Sequence, residues 1–213
     1  MLYDLTHGGS MRKKSVVALL ALVLPACAFA RFGNEAVFGL TWGQTTKEVR
    51  AIGVTLTDAR TSGDITSYQA TGVPKGISDP DMYLLTFYKD RLVKATFVGK
   101  TIEGDTSGAV GKDKYQALKS ALTEKYGAPE NSMEKTGIRL YKDYDEFYEC
   151  LRYSGCGMWS SLYKTDDRTM VVELKGLSRG RGYIRVSAES APEFSDAVDA
   201  MKNASSKSDS DAL

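Results

Sequence analysis

The chain holds one histidine, His7, three cysteines and five prolines among 213 residues. Each shortage excludes something. His7 lies ahead of the export signal described below, so the exported part has no imidazole. That removes His-dependent nucleophilic triads and imidazole metal sites together. An excess of either charge is missing too: 28 Lys/Arg stand against 27 Asp/Glu, a net of +1. A chain this neutral has no electrostatic footprint for nucleic acid or for an anionic membrane surface. Gly104, Gly108 and Gly111 mark a loop, but the Lys-Ser/Thr pair that completes a phosphate cradle is absent. A run of membrane length is also lacking. The apolar stretch ending at Ala30 would reach about 22 Å as a helix, short of the ~30 Å bilayer core.

What is present begins with residues 11–30, which read as a secretory signal peptide. Arg12, Lys13 and Lys14 form the basic region, Val16 to Leu24 the apolar region, and Ala28-Phe29-Ala30 a small-x-small cleavage site. Signals begin just before their basic residues, so residues 1–10 are expected to be a start-site artefact ahead of Met11. Cleavage after Ala30 sends the remainder to the periplasm with no transmembrane helix. A competing site, Leu24-Pro25-Ala26-Cys27, is similar to a lipobox and would make the mature form an outer-membrane lipoprotein lipidated on Cys27. Residues 31–204 are expected to form a single α+β domain, with halves at 38–100 and 111–204. Residues 205–213, rich in Ser and Asp, read as a disordered tail.

Within the domain, Thr45 and Glu48 have capping-box spacing. The helix they open should turn Val49 and Ile52 inward and stop at Gly53, with Trp42 as a core plug. Val54 to Thr71 reads as strand with a polar interruption at Ser62-Gly63-Asp64. Met82 to Tyr88 and Leu92 to Val98 form a hairpin, with Tyr83, Leu85 and Phe87 on one face and Val93, Ala95 and Phe97 on one face of the partner. Lys112 to Tyr126 has helical spacing. Ile138 and Leu140 suggest a brief strand, and Asp143 to Arg152 a second helix burying Tyr144, Phe147, Tyr148 and Leu151. Strands follow at Trp159–Lys164, Thr169–Lys175 and Tyr183–Ala188. A last helix is capped by Ser190 and Glu193 and lined by Phe194, Ala197, Val198 and Met201. The order predicts an antiparallel sheet layered with helices, as two fused helix–strand repeats.

Cys27 falls within the signal, which leaves Cys150 and Cys156. An even pair in an exported protein reads as a disulfide, here flanked by Gly155 and Gly157. The chain has 2 Trp, 12 Tyr and 7 Phe, and seven of these rings lie between Tyr141 and Tyr163. Tyr144, Phe147 and Tyr148 are assigned to the helix's buried stripe. Tyr141, Tyr153, Trp159 and Tyr163 either wrap the disulfide as core or present an interface, extended by Arg179 and Arg181 from the glycine-rich turn Gly176–Gly182. Asp143, Asp145, Glu146, Asp166 and Asp167 are plentiful, but nothing selects a catalytic pair from them.

The opening Gly39-Leu-Thr-Trp-Gly-x-Thr-Thr-x-Glu-Val49, with the later Tyr126-Gly-Ala-Pro129, resembles a broad group of small exported bacterial proteins. Their helix–strand–strand units are similar to the fold of the β-lactamase inhibitor protein and to the single unit of the small lipoprotein of the outer-membrane β-barrel assembly machinery. Over residues 38–188 the resemblance implies a sheet layered with helices and a binding role; it transfers no functional residue. The resulting expectation is a non-catalytic periplasmic protein-binding module of inhibitor or immunity type, with no cofactor or metal and another exported or envelope protein as partner. The alternatives are a lipid-anchored envelope assembly or maintenance factor and a carboxylate-dependent hydrolase.

Overall fold

The structure is a computed structural model that describes residues 35–138, 140–191, 193–200 and 202. The signal segment, Cys27, Met201 and the 205–213 tail lie outside the described residues. Thr45 opens α1 (Thr46–Ala51) with the capping box its spacing predicts: its backbone N–H donates to Glu48 Oε2 at 2.7 Å, and the Glu48 N–H donates to Thr45 Oγ1 at 3.2 Å. Val49 is buried under the helix. Ile52, expected inward, is the C-cap and is exposed, because it stands past the last helical turn. Trp42 is buried, as a core plug should be.

Four strands follow: β1 (Thr55–Ser62), β2 (Ile65–Thr71), β3 (Pro80–Tyr88) and β4 (Arg91–Gly99). The polar interruption at 62–64 is the β1–β2 hairpin turn. Lys89 and Asp90 join β3 to β4, both at positive φ (48° and 58°), the pair of left-handed residues that a two-residue hairpin requires. On the face toward the helices β3 presents Tyr83, Leu85 and Phe87, all buried. Its partner differs by one residue from expectation. The register slips between Thr86↔Lys94 and Phe87↔Leu92, so Val93 is a bulge and Leu92 takes the core place beside Ala95 and Phe97.

The second half repeats the plan: α2 (Ala109–Tyr126), β5 (Asn131–Lys135), a 3-10 turn (Tyr144–Glu146), α3 (Phe147–Arg152), β6 (Met158–Lys164), β7 (Arg168–Ser178) and β8 (Arg181–Ser190). Residues 193–200 are helical again, with Ala197 buried and Lys94 Nζ 4.9 Å from the Phe194 ring centroid. All eight strands form one antiparallel sheet in the order β1-β2-β3-β4-β8-β7-β6-β5. Two four-strand meanders, each preceded by a helix, therefore meet through their last strands. The fold is α+β. Buried side chains from Ala36 to Ala188 make one hydrophobic cluster across both meanders, each fully buried large one contributing about 1.5–3 kcal/mol. Among the described residues no helix is long and apolar enough to cross a membrane.

The two meanders differ at one junction. The chain passes from β1 to β2 through Gly63-Asp64, but the corresponding β5 and β6 are separated by residues 136–157. That insertion carries the 3-10 turn, α3, both cysteines and five of the seven clustered rings, all of those before Trp159.

Candidate functional site

The insertion is seated by glycine. Gly176 of β7 and Gly182 of β8 pair directly across the sheet, with α3 lying on them. A Cβ on Gly176 would sit 1.9 Å from the Tyr148 carbonyl oxygen, and one on Gly182 would sit 2.1 Å from the Tyr148 ring. On α2, a Cβ on Gly111 would sit 2.2 Å from Tyr148 Oη, and one on Gly108 would sit 2.1 Å from the Phe147 ring. The glycines predicted as a loose turn at 176–182 are thus a socket within paired strands, and the turn itself is only Arg179-Gly180. No signal in the sequence separates a socket glycine from a turn glycine, because the deciding neighbour is far along the chain.

A buried carboxylate completes the seat. Tyr148 donates its phenol proton to Asp105 Oδ2 at 2.7 Å, and the Gly111 N–H donates to the same oxygen at 2.9 Å. Asp105 therefore caps the first turn of α2 and tethers α3 to it. Burial, then the Asp105 carboxylate, push the Tyr148 phenol well above its ordinary value, which keeps it a donor. The Cys150–Cys156 disulfide closes the C-terminal end of α3, and the Ile138 N–H donates to the Cys156 carbonyl at 2.9 Å.

With Phe147, Tyr148 and Leu151 turned inward, several large apolar side chains still stand outside, among Lys142, Asp143 and Arg152. Ile138, Leu140, Tyr144, Tyr153 and Met158 are all exposed, Tyr144 by 78%. The Tyr141 ring stacks 5.0 Å from Tyr153. Tyr141 and Tyr144 also line a hollow of about 620 Å³ that reaches Lys112 and Asp113 on α2. Tyr141 holds φ 52°, in the left-handed region, a conformation costing about 1–2 kcal/mol in a non-glycine residue and concentrated at functional sites.

Against these positions the sequence reading divides. Tyr141 and Tyr153 do come together at the surface. Tyr163 does not join them: it is 1% exposed, its hydroxyl donating to the Lys119 carbonyl at 2.9 Å, and it belongs to the core under α2. Trp159 is half-buried, edge-on to Phe147 at 5.3 Å, and is core wall more than contact surface. Tyr144, assigned to the buried stripe, is the most exposed ring of the group, because the 3-10 turn rotates it off the stripe of α3. Ile138 and Leu140 form no strand; β5 lies earlier, at Asn131–Lys135. Arg179 and Arg181 are both engaged by carboxylates. Arg179 pairs with Asp145 and with Glu146, pinning the β7–β8 turn to the insertion, and Arg181 grips Glu103 at 2.7 and 3.0 Å.

Comparison with known proteins returns no match to a protein family, a curated protein or a solved structure. The site is therefore read from its own chemistry. Of the acidic residues flagged in the sequence, Asp143 and Glu146 form a capping box on the 3-10 turn, Asp145 and Glu146 hold Arg179, and Asp167 holds Arg168. A second polar group lies under α2: Tyr115 donates to Glu134 at 3.0 Å and sits 2.7 Å from Ser161 Oγ, itself 2.6 Å from Ser132 Oγ. Lys119 closes on Glu134. These contacts dock α2 on β5 and β6, and burial raises the Tyr115 phenol well above its ordinary value, so it too stays protonated.

Proposed function

We propose that the protein is an exported, non-catalytic binding module that docks another secreted or envelope protein through the outer face of the 136–157 insertion. The observation that carries this reading is the placement of Ile138, Leu140, Tyr144 and Tyr153 at the surface on a segment seated by buried Phe147 and Tyr148 and closed by a disulfide. A segment held this way loses little entropy on binding, and aromatic rings offer large contact area with few rotatable bonds. Tyr144 is the natural anchor, and its truncation should cost on the order of 2 kcal/mol in binding.

The test is site-specific photo-crosslinking in the producing cell. A photoreactive residue at Tyr144 or at Leu140 should give a discrete adduct with one exported protein, while one at Arg60 on the opposite sheet edge should give none. Adducts of equal pattern from all three positions, or from none, would reject the surface. N-terminal sequencing of the mature protein should read from Arg31. A lipid adduct on Cys27 would instead favour the envelope assembly reading.

A further inference from the structure

Away from the insertion, a pocket of about 170 Å³ opens between α2, the ends of β4 and β8 and the 77–79 loop. Its floor is apolar: Phe97, Ile102 and Ile184 are buried, and Leu118 and Ile77 form the walls. Its rim is charged, with Lys114 Nζ 3.6 Å from Asp79 and Lys100 beside them. Among the described residues no carboxylate pairs with Lys100. An apolar cavity of about 150 Å³ admits one benzene-sized group, so this pocket takes one side-chain-sized apolar tail.

The rim is braced in its open shape. The Ile77 N–H donates to Tyr83 Oη at 2.7 Å, and that hydroxyl donates back to the Ile77 carbonyl at 3.2 Å. The Lys100 N–H donates to the Asp79 carbonyl at 3.0 Å. Gly76 permits the approach, since a Cβ there would lie 2.9 Å from Tyr83 Oη. Two hydrogen bonds to the buried Tyr83 hydroxyl and one from the Lys100 N–H hold the loop in this shape, which gives a preformed site.

The geometry points to a binding site for a small organic carboxylate with one branched or aromatic apolar tail. The tail fills the floor over Phe97 and Ile184. The carboxylate meets Lys100 and competes with Asp79 for Lys114 at the exposed rim. A free short-chain acid and the C-terminal residue of a peptide share this chemistry.

Backbone amide chemical shifts, recorded on the exported chain from Arg31 onward, test the site. The probes are 4-methylpentanoate, N-acetyl-leucine and the neutral 4-methylpentanamide. Either carboxylate should shift the amides of Gly99, Ile102 and Leu118 in a saturable way, with the neutral amide at least tenfold weaker. Tighter binding of N-acetyl-leucine assigns the site to peptide C-termini, and tighter binding of 4-methylpentanoate to free acids. Lys100→Glu, a surface change, should weaken carboxylate binding at least fivefold, and Ala117→Leu at the mouth should abolish it. Equal binding of the neutral amide, an unchanged affinity in Lys100→Glu, or no saturable shift at these amides would overturn the assignment.

Discussion

At the scale of single residues, the glycines under α3 are the sharpest commitments in the chain. Gly182 faces the Tyr148 ring with no room for a methyl group, and Tyr148 has nowhere to retreat because its hydroxyl is held by Asp105. Gly182→Ala should therefore cost about 3 kcal/mol, the upper part of the usual overpacking range, measured by urea unfolding; a loss under about 1 kcal/mol would mean that α3 shifts freely. Arg168 makes the second commitment. Its guanidinium is nearly buried, lies 5.7 Å from the Tyr126 ring centroid and grips Asp167. The Arg168 hydrogen bonds, helped by Thr165, hold the Asp167 carboxyl below its ordinary value. A carboxyl depressed in the folded state contributes stability above its unfolded pKa of about 3.9, and loses it as pH falls through the folded value. Asp167→Ala should thus cost roughly 2–3 kcal/mol near neutral pH, discounted from the fully buried case because the carboxylate is partly exposed. The gap between wild type and variant should narrow in melts as pH falls below about 3.9 and on through the lower folded value.

At the scale of elements, legibility follows the source of each element's stability. β3, β4, β7 and β8 were readable because their inward residues alternate and are apolar: Met170, Val172 and Leu174 are all buried, as the pattern predicts. β5 was not readable. Its inward residues are Ser132 and Glu134, held by Ser161, Tyr115 and Lys119 instead of by burial of apolar surface. Ile138 and Leu140 misled for the converse reason, since they alternate like a strand but face outward from the insertion. The expected export and the flanking glycines make the disulfide legible. Its sequence separation is 6, for which loop entropy gives about 2 kcal/mol. A Cys150→Ser/Cys156→Ser variant should lose about that much, and the loss should be local. Hydrogen exchange should rise across 138–156 while β3, β4, β7 and β8 keep their protection; uniform acceleration would show that the disulfide braces the whole sheet.

At the scale of the molecule, the near two-fold plan of the meanders turns one departure from symmetry into the central feature. The first meander is covered by Phe38, Leu40, Trp42 and Val49 ahead of it, and the second by Phe147, Tyr148 and Leu151 from inside it. The insertion is therefore a lid on the core whose outer face also carries exposed rings, which is why its rings defy assignment from sequence: helical spacing puts Tyr144 on the same stripe as Tyr148, and only the 3-10 entry separates them. The two faces make opposite predictions. Phe147→Ala empties a core place beside Trp159 and Tyr148 and should cost about 3–5 kcal/mol. Tyr144→Ala and Tyr153→Ala, at exposed positions, should each change stability by under about 0.5 kcal/mol. If both faces serve packing, all three variants would lower the urea midpoint. If the outer face serves recognition, only Phe147→Ala lowers it, and Tyr144→Ala leaves the fold intact while removing the crosslinked adduct formed from Leu140.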